Sequence, residues 1–241
     1  MDSAKCKEHL VKEGFLVIND VFSEKQADDL LEIISSADSS GPEFRKTPDL
    51  FASRRFFEAC PIAAQLVFTE KFKAISSGYF GSDFFVVKSI YFDKPASSNW
   101  FVAWHQDLTI SVDRKLELEG FGPWTRKELQ FAVQPPLEIL EDNFTIRIHL
   151  DDTREENGAL KIVPGSHLKG VLRPETIDWS SESVVSVNVG KGGVMIMKPL
   201  LMHASGRTTN QAQRRVLHIE FSRSRLPEGL CWAEKMVIAP A

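Results

Sequence analysis

From Phe84 onwards the chain consists of short segments rich in β-branched and aromatic residues, and turn-forming stretches separate these segments. Valine, isoleucine, threonine and aromatic side chains favour the pleated backbone, whereas glycine, proline, asparagine and aspartate favour turns. The segments that this pattern predicts to be strands are 84–92, 100–110, 144–150, 159–163, 184–189, 193–197 and 214–222. That number of short strands is right for a jelly roll.

The part of the chain before these strands has mainly helical patterns. Residues 3–13 predict a short amphipathic helix, and the apolar run at 15–18 predicts a buried strand. Ser23 and Gln26 form a capping-box signature at the start of a second helix, and residues 61–78 predict a third. Helices followed by a run of strands indicate an α+β, mainly β fold in which N-terminal helices brace one β core.

The domain organisation follows from the same patterns. The sequence contains no internal repeat and no low-complexity segment that would mark a boundary. We therefore expect residues 1–241 to form a single domain, with a mostly helical part at 1–81 and the β core at 84–223.

The charge balance and the cysteines narrow the class of partner. A formal net charge of -4 argues against nucleic acid and anionic membranes, because both call for a basic surface, and it favours a small-molecule substrate. Cys6, Cys60 and Cys231 are widely spaced, which predicts reduced thiols in the cytoplasm rather than disulfides or a zinc site. The chain lacks a long apolar run, so we expect neither export nor membrane insertion. The sequence leaves open whether the protein is a monomer or a dimer.

His105 and Asp107 stand two residues apart in WFVAWHQDLTI, within the strand predicted at 100–110. Alternate side chains of a strand leave the same face, so the imidazole and the carboxylate could share one metal ion, while Gln106 would face away and pack. His203, at the edge of a later strand, is the candidate third ligand. Two imidazoles and one carboxylate form the facial triad of non-haem iron(II) oxygenases. Zinc would accept the same three ligands, whereas a magnesium cage or a thiolate zinc site would not match them.

Arg214 and Arg215 begin the strand RRVLHIEF, and only one of them can face the interior. An inward-facing guanidinium beside an iron could hold the far carboxylate of 2-oxoglutarate through two parallel hydrogen bonds. Periodicity alone does not choose between the two arginines, and each could instead be a solvated charge. Ser205, two residues after His203, could add a hydroxyl donor to the same carboxylate or could be an ordinary turn residue.

Several motifs in combination resemble the phytanoyl-CoA dioxygenase family of iron(II)/2-oxoglutarate oxygenases. They are WHQD, LDDTREENGALKIVPGSH, the H-x-S at His203 and an arginine eleven residues after that histidine. The resemblance extends from about Gly14 to Arg223 and implies a double-stranded β-helix fold, which is a cupin-like jelly roll. It maps the co-substrate arginine onto Arg214, and it maps the co-substrate serine onto Ser205.

The resemblance also implies a metal and a reaction. The iron(II) ligands that it implies are His105, Asp107 and His203. The implied activity is that of a dioxygenase that consumes 2-oxoglutarate and O2 and releases succinate and CO2. Because the acidic ligand is present at Asp107, the implied outcome is hydroxylation of a C–H bond in a small organic molecule, or a related oxidation, rather than halogenation.

Other polar residues could belong to the site. Arg147 and His149 alternate with apolar residues, so they contact the substrate or co-substrate if their face lines a cavity and are surface residues if it does not. His218 and Glu220 share one face of the last strand and are expected to support the site. The segment 111–142 is broken by glycine and proline, and we predict that it is irregular and forms part of a lid.

Two functions from other classes remain open. One is a cupin-like metal enzyme that does not use 2-oxoglutarate, in which Arg214 would be incidental. The other is a non-catalytic β-barrel binding protein with a vestigial metal site. The 2-oxoglutarate affinity of an Arg214 variant tests the first alternative, and an iron(II) titration tests the second.

Overall fold

The computed structural model describes residues 3–37, 44–47, 50–96, 98–127 and 130–238. The α-helices among these residues are α1 (Ser3–Glu13), α2 (Glu24–Ser36), α3 (Phe56–Ala59), α4 (Pro61–Val67), α5 (Glu70–Phe80) and α6 (Leu137–Asp142). The strands are β1 (Phe15–Ile18), β2 (Phe44–Thr47), β3 (Leu50–Arg54), β4 (Phe85–Lys94), β5 (Val102–His105), β6 (Ile110–Val112), β7 (Trp124–Lys127), β8 (Gln130–Val133), β9 (Phe144–His149), β10 (Leu160–Ile162), β11 (Val185–Val187), β12 (Val194–Met197), β13 (His203–Ser205), β14 (Arg214–Ser222) and β15 (Met236–Val237). Short 3-10 helices lie in the loops at Glu155–Asn157, Ser166–Lys169 and Pro174–Thr176.

Two antiparallel sheets form the jelly roll. The main sheet has the order β1-β12-β9-β14-β4-β3-β2, and β15 also pairs with β4. The minor sheet has the order β11-β10-β13-β5. A third sheet, β6-β8-β7, comes from the segment between β5 and α6. The predicted jelly-roll core, built from strands that are distant in sequence, is therefore confirmed.

The main sheet has two different faces because side chains alternate along its strands. One face packs on the N-terminal helices and belongs to the largest apolar cluster, together with Leu10 of α1, Leu30 of α2 and Phe72 of α5. The apolar residues that β9 and β14 contribute to this face are Ile146, Ile148, Leu217, Ile219 and Phe221. The intervening residues of the same strands face the minor sheet. The helices thus brace one side of the β core, as the sequence predicted.

The local patterns at the N-terminus are confirmed residue by residue. α1 ends before Gly14, whose φ of 82° suits glycine, and a Cβ at this position would overlap the ring of His167. The capping box is complete, because the Ser23 hydroxyl accepts the Gln26 N–H at 3.2 Å and the Gln26 side chain accepts the Ser23 N–H at 2.8 Å. These features depend on residues close together in the chain, which explains why sequence patterns identify them.

Three predictions about secondary structure are wrong in part. The helix predicted at 61–78 is two helices, because Thr69 caps a new one by accepting the Phe72 N–H at 3.2 Å. The mostly helical part at 1–81 also contains β2 and β3, and residues 1–2, 38–43 and 48–49 of this part lie outside the described residues. The strand predicted at 100–110 is two strands, β5 and β6, joined by a loop.

The segment 111–142 is also more ordered than predicted. It completes β6 and contains β7, β8 and α6, so it is a small sheet followed by a helix rather than an irregular stretch. The cross-strand partners hold it together, for example Ser111 opposite Ala132. Residues 128–129 lie outside the described residues.

Two further observations concern the chain as a whole. Cys6, Cys60 and Cys231 are all free thiols, and the first two are buried. Among the described helices, none has the length and apolar character needed to cross a membrane.

Candidate metal centre and active-site cavity

A cavity of about 230 Å³ lies between the two sheets of the jelly roll. Its lining combines residues of β4, β9 and β14 from the main sheet with residues of β5, β10 and β13 from the minor sheet. All five residues that the sequence assigned to the metal or the co-substrate line it, namely His105, Asp107, His203, Ser205 and Arg214. The fold therefore brings together residues that are more than a hundred positions apart in the chain.

The two histidines are cross-strand partners. β5 and β13 pair antiparallel with His105 opposite His203, and their ring centroids are 4.2 Å apart. His105 Nδ1 lies 2.8 Å from the Ala103 carbonyl oxygen, and His203 Nδ1 lies 2.8 Å from the Leu201 carbonyl oxygen. Because a carbonyl oxygen can only accept, the proton of each neutral ring is on Nδ1, and the Nε2 lone pair of each ring is available to a metal.

Asp107 reaches the centre by a different route from the predicted one. β5 ends at His105, so strand alternation does not position this carboxylate, and the assignment of Asp107 to a strand is wrong. The Asp107 N–H instead donates to the Pro199 carbonyl oxygen at 2.9 Å. The buried Gln106 side chain anchors the same loop, as the expected packing residue, through hydrogen bonds to backbone groups of Gly170, Leu172 and Leu200.

The three side chains lie at distances that one ion can bridge. Asp107 Oδ1 is 3.9 Å from His105 Nε2, and Asp107 Oδ2 is 3.8 Å from His203 Nε2. Two donors that are each about 2.1 Å from one ion are at most about 4.2 Å apart. Asp107 Oδ2 is buried and has no hydrogen-bond partner among the described residues, which fits an oxygen whose partner is a cation. The donor set thus fits a first-row metal with open coordination positions.

The protonation states suit metal binding. Burial opposes ionisation of Asp107, but the neighbouring His203, His218 and Lys88 outweigh burial and lower the pKa of this carboxyl to about 2. Burial lowers the pKa of His203 to about 4, although the attraction of Asp107 acts in the other direction. At neutral pH the site therefore presents a carboxylate and a neutral imidazole, which are the forms that bind a metal.

Arg214 and Ser205 line the cavity beside the candidate metal centre. Arg215 points away from the cavity and donates its Nε and Nη2 to Asp151 at 2.8 and 2.6 Å, so Arg214 is the inward-facing arginine. Arg214 Nε and Nη1 and Ser205 Oγ are buried and have no hydrogen-bond partner among the described residues. Burial, with repulsion from Arg147, lowers the pKa of Arg214 to about 9, so the guanidinium stays charged at neutral pH. The unpartnered donors of Arg214 and Ser205 are complementary to a carboxylate.

A second cation that sequence reasoning missed is buried next to Arg214. Lys94 lies directly opposite Arg214 in the register of β4 and β14, and its ammonium donates to the Gly206 carbonyl oxygen at 2.5 Å. Burial and the charge of Arg214 lower the pKa of Lys94 to about 8. Like charges at opposed strand positions repel each other, so this end of the cavity favours an anion.

Four polar side chains form a hydrogen-bonded row across β4, β14 and β9. Lys88 Nζ lies 2.7 Å from both carboxylate oxygens of Glu220. His218 Nε2 is 3.1 Å from Glu220 Oε1, and His218 Nδ1 is 2.9 Å from Arg147 Nη1. Because a guanidinium only donates, His218 Nδ1 accepts and its Nε2–H donates to Glu220. Lys88 shares one face of β4 with Ile90 and Phe92, and all three line the cavity.

The sequence also named Arg147, His149 and the segment 111–142 as candidates for the site. Arg147 lines the cavity and His149 is buried, so the polar face of β9 is an interior face and the surface alternative is wrong. Of the described residues in 111–142, Gln130 contributes to the lining. The role of that segment as a lid stays a prediction.

The cavity also has a charged wall that sequence reasoning missed. Arg54 and Arg55 at the end of β3 contribute to it, together with Glu234 just before β15. Glu234 accepts hydrogen bonds from both the N–H and the hydroxyl of Ser89. Burial nevertheless raises the pKa of Glu234 to about 7. No local motif marks these residues, because β3 and the C-terminal segment meet only where both approach β4.

Comparison with known sequences gives one family. A model of the phytanoyl-CoA dioxygenase family matches residues 10–216 of the chain. The dioxygenase himG of Aspergillus japonicus is 33% identical over 92 residues, which cover 37% of this chain and 27% of himG. The match therefore spans less than a third of that relative.

Comparison with solved structures shows the same fold in several enzymes. EctD from S. alaskensis in its apo form superposes with a TM-score of 0.69 at 15% identity, over 91% of this chain and 76% of EctD. AviO1 from Streptomyces viridochromogenes gives 0.66 at 20% identity, over 94% and 97% of the two chains. The epimerase SnoN in complex with Fe3+, α-ketoglutarate and nogalamycin RO gives 0.65 at 15% identity, over 91% and 83%.

Proposed function

The chain belongs to the phytanoyl-CoA dioxygenase family, and from this membership we propose that it is an iron(II)- and 2-oxoglutarate-dependent dioxygenase. Its proposed reaction is hydroxylation of a C–H bond in a small organic molecule, with consumption of O2 and release of succinate and CO2. The three free thiols fit a reducing compartment, and the proposed location is the cytoplasm.

One observation carries this proposal. A single cavity holds a cluster of two imidazoles and a carboxylate that can share an ion. The same cavity is lined by the Arg214 guanidinium and the Ser205 hydroxyl, which are buried and have donors without a hydrogen-bond partner among the described residues. The metal cluster alone, or the guanidinium and hydroxyl alone, would fit many proteins. Together they match a metal-chelating dicarboxylate, one end of which binds the ion while the other end binds the arginine.

The metal would be held by His105, Asp107 and His203. Bound there, iron(II) would supply the activation of dioxygen, coupled to the oxidative decarboxylation of 2-oxoglutarate to succinate and CO2. The protein would fix the geometry of the ligands, because the carbonyl groups of Ala103 and Leu201 hold both imidazoles in one tautomer and orientation. SnoN binds Fe3+ and α-ketoglutarate on the same fold, which supports the proposal.

The co-substrate would be held by Arg214 and Ser205 at its far carboxylate. Arg214 offers two buried donors, Nε and Nη1, and the Ser205 hydroxyl offers a third. The buried Lys94 ammonium adds positive potential at the same end of the cavity. Because these donors are buried in the protein interior, their hydrogen bonds to a carboxylate would be stronger than in water.

The outcome at the substrate carbon is the finer part of the proposal. Enzymes of this fold include the epimerase SnoN and the carbocyclase SnoK, so oxidation on this scaffold can also end in inversion or ring closure. The acidic ligand Asp107 argues against halogenation and leaves hydroxylation or a related oxidation, and of these we propose hydroxylation. Product analysis by mass spectrometry decides among them, since hydroxylation adds one oxygen atom, epimerisation leaves the mass unchanged and oxidative ring closure removes two hydrogen atoms.

The test combines binding with turnover. Iron(II) and then 2-oxoglutarate are titrated anaerobically into the wild-type protein, into Arg214→Gln and into the matched control Arg215→Gln. Truncation of one partner of a buried charge pair predicts a loss of 2-oxoglutarate affinity of at least about 30-fold for Arg214→Gln. Arg215→Gln is expected to bind like the wild type, because its side chain pairs with Asp151 outside the cavity.

Two results would contradict the proposal, and each favours a different alternative. Iron(II) binding without measurable 2-oxoglutarate binding would favour a cupin-like metal enzyme of another type. Failure of the wild-type protein to take up stoichiometric iron(II) at neutral pH would favour a non-catalytic binding protein.

A further inference from the structure

Arg147 is a buried cation with no carboxylate hydrogen-bonded to it in the part of the chain that the structure describes. It is 7% exposed and projects from the middle of β9 into the cavity. Among the described residues its hydrogen bonding is limited to the contact of Nη1 with His218 Nδ1, and its Nε is buried without a partner. Asp107 attracts this guanidinium through space, but no described carboxylate forms an ion pair with it, and charged groups in protein interiors are almost always paired. The guanidinium is therefore suited to bind an anion from outside the chain.

The proposed co-substrate does not account for Arg147. In the proposed function, Arg214 and Ser205 hold one carboxylate of 2-oxoglutarate, and the metal binds the other end. Arg147 lies opposite His218, four residues from Arg214 along β14, which separates the two backbone positions by roughly 13 Å along the strand. Each arginine therefore projects from its own part of the sheet. The two buried guanidinium groups nevertheless repel each other, so a second anionic group bound at Arg147 would relieve that repulsion.

The hydrogen-bonded row of Lys88, Glu220 and His218 fixes the orientation of the Arg147 guanidinium. His218 accepts from Arg147 Nη1 and donates to Glu220, and Lys88 in turn donates to Glu220. Since Glu220 already neutralises Lys88 at 2.7 Å, Lys88 is not a free binding group for an anion. Arg147 is thus anchored on one side, while the unpartnered Nε side of its planar fork can receive two oxygens of a carboxylate.

The overall charge of the lining supports an acidic ligand. Of the lining cations, Lys88 pairs with Glu220 and Arg55 pairs with Glu58, whereas Arg147 and Arg214 form no ion pair among the described residues. The chain as a whole carries a net charge of -4, so the excess of positive charge is local to the cavity. Electrostatic complementarity of this kind selects anionic small molecules over neutral ones.

We propose that the primary substrate is a small organic acid and that the Arg147 guanidinium binds its carboxylate next to the metal centre. This inference rests on the proposed function, because it assigns to the substrate a buried cation that the co-substrate does not bind. Arg147 is then a specificity-determining residue, and His218 and Glu220 are positioning residues that act through it.

The first test uses the wild-type protein alone. Protein loaded with nickel(II) and 2-oxoglutarate, which does not turn over, is titrated by calorimetry with the straight-chain acids from butanoic to decanoic acid and with the primary amide of each. The acid that binds best is expected to exceed its amide by at least about 30-fold in affinity, because the amide lacks the charge. If no acid binds more tightly than its own amide, the proposal is overturned.

The second test separates the two arginines. Arg147→Gln is expected to bind the best acid no more tightly than its amide, while its affinity for 2-oxoglutarate falls by less than about tenfold. A loss of 2-oxoglutarate affinity as large as that of Arg214→Gln would mean that Arg147 serves the co-substrate, and it would overturn the proposal. Arg147→Lys, which keeps the charge and removes the fork, is expected to retain part of the preference for the acid.

The two proposals fail in different ways. If the wild-type protein does not bind nickel(II) and 2-oxoglutarate, the proposed function itself is wrong. If it binds both and still does not distinguish acids from amides, only the assignment of the substrate is wrong.

Discussion

The two faces of β9 and β14 are built from alternate residues of the same strands, yet they have opposite characters. The helix-facing residues Ile146, Ile148, Leu217, Ile219 and Phe221 are apolar and nearly inaccessible to solvent. The cavity-facing residues Arg147, Arg214, His218 and Glu220 are also buried, but they are charged or titratable. One face therefore holds the fold together, and the other carries the candidate chemistry.

The difference shows where stability is gained and where it is lost. Burying a large apolar side chain contributes about 1.5–3 kcal/mol, so the helix-facing residues are a large source of stability. Burying a charge without a partner lowers stability instead. Arg214 and Arg147 have no carboxylate partner among the described residues, so the ligand-free cavity face carries an energetic cost that bound anions would relieve. Four predictions test this contrast, in order of decreasing expected effect.

Asp107→Ala is expected to abolish function without changing the fold. Removing the ligand should lower substrate-stimulated succinate formation by at least about 1,000-fold, since metal-dependent activation depends on the complete triad. The variant should still fold, but its thermal unfolding temperature should fall modestly, because the lowered pKa of Asp107 shows that its carboxylate contributes stability at neutral pH. The surface variant Asp178→Ala is the control. Unchanged turnover in Asp107→Ala, or in His105→Ala, would contradict the assignment of the triad.

Ile219→Ala is expected to lower the stability of the protein and to leave the binding of 2-oxoglutarate nearly unchanged. Truncating this fully buried side chain on the helix-facing side should reduce the free energy of unfolding by about 3 kcal/mol, as measured by urea denaturation. The 2-oxoglutarate affinity of the folded variant should remain within about threefold of the wild type. A mutation on the helix-facing side has little effect on binding if the two faces are energetically independent. A large loss of affinity would show that the two faces are coupled.

Lys94→Met is expected to stabilise the ligand-free protein. Because the pKa of Lys94 is depressed to about 8 in the folded state, its contribution to stability is present above pH 10.5 and is lost as the pH falls through 8. The variant should therefore gain about 1–2 kcal/mol at pH 7, after the loss of the hydrogen bond to Gly206, and the gain should shrink towards pH 10.5. Urea denaturation at the two pH values tests the sign, and a gain that does not depend on pH would argue against a charged Lys94.

Arg215→Gln is expected to have the smallest effect. Its partly exposed ion pair with Asp151 contributes at most about 1 kcal/mol, because solvent screens part of the attraction. Affinity for 2-oxoglutarate should not change. If this variant lost as much affinity as Arg214→Gln, the distinction between the inward and the outward arginine would be wrong.

Features with local causes could be predicted from the sequence. The helix α1, the strand β1 and the capping box of Ser23 depend on neighbours in the chain, and they appear where the pattern indicated. The resemblance to the family indicated His105, Asp107, His203, Ser205 and Arg214, and the fold gathers all five around one cavity.

Features with distant causes could not be predicted in this way. Asp107 is positioned by a loop that Gln106 and Pro199 anchor rather than by strand alternation, because β5 ends at His105. β3 and the sheet of β6, β7 and β8 have no strong local pattern, and their strands depend on cross-strand partners elsewhere in the chain. The position of Glu234 depends on the return of the C-terminal segment to β4.

By itself, the sequence determined the jelly-roll architecture, the family and the chemical types of the candidate ligands. These features could be recognised because alternation, turns and motifs depend on residues that are close together in the chain. Only the tertiary structure decided which polar residues are buried together and which of them lack a partner. Burial and pairing depend on distances between remote segments. The sequence left open whether Arg147 lies in the cavity or on the surface. The structure buries it in the cavity, and it became the basis for proposing an acidic substrate.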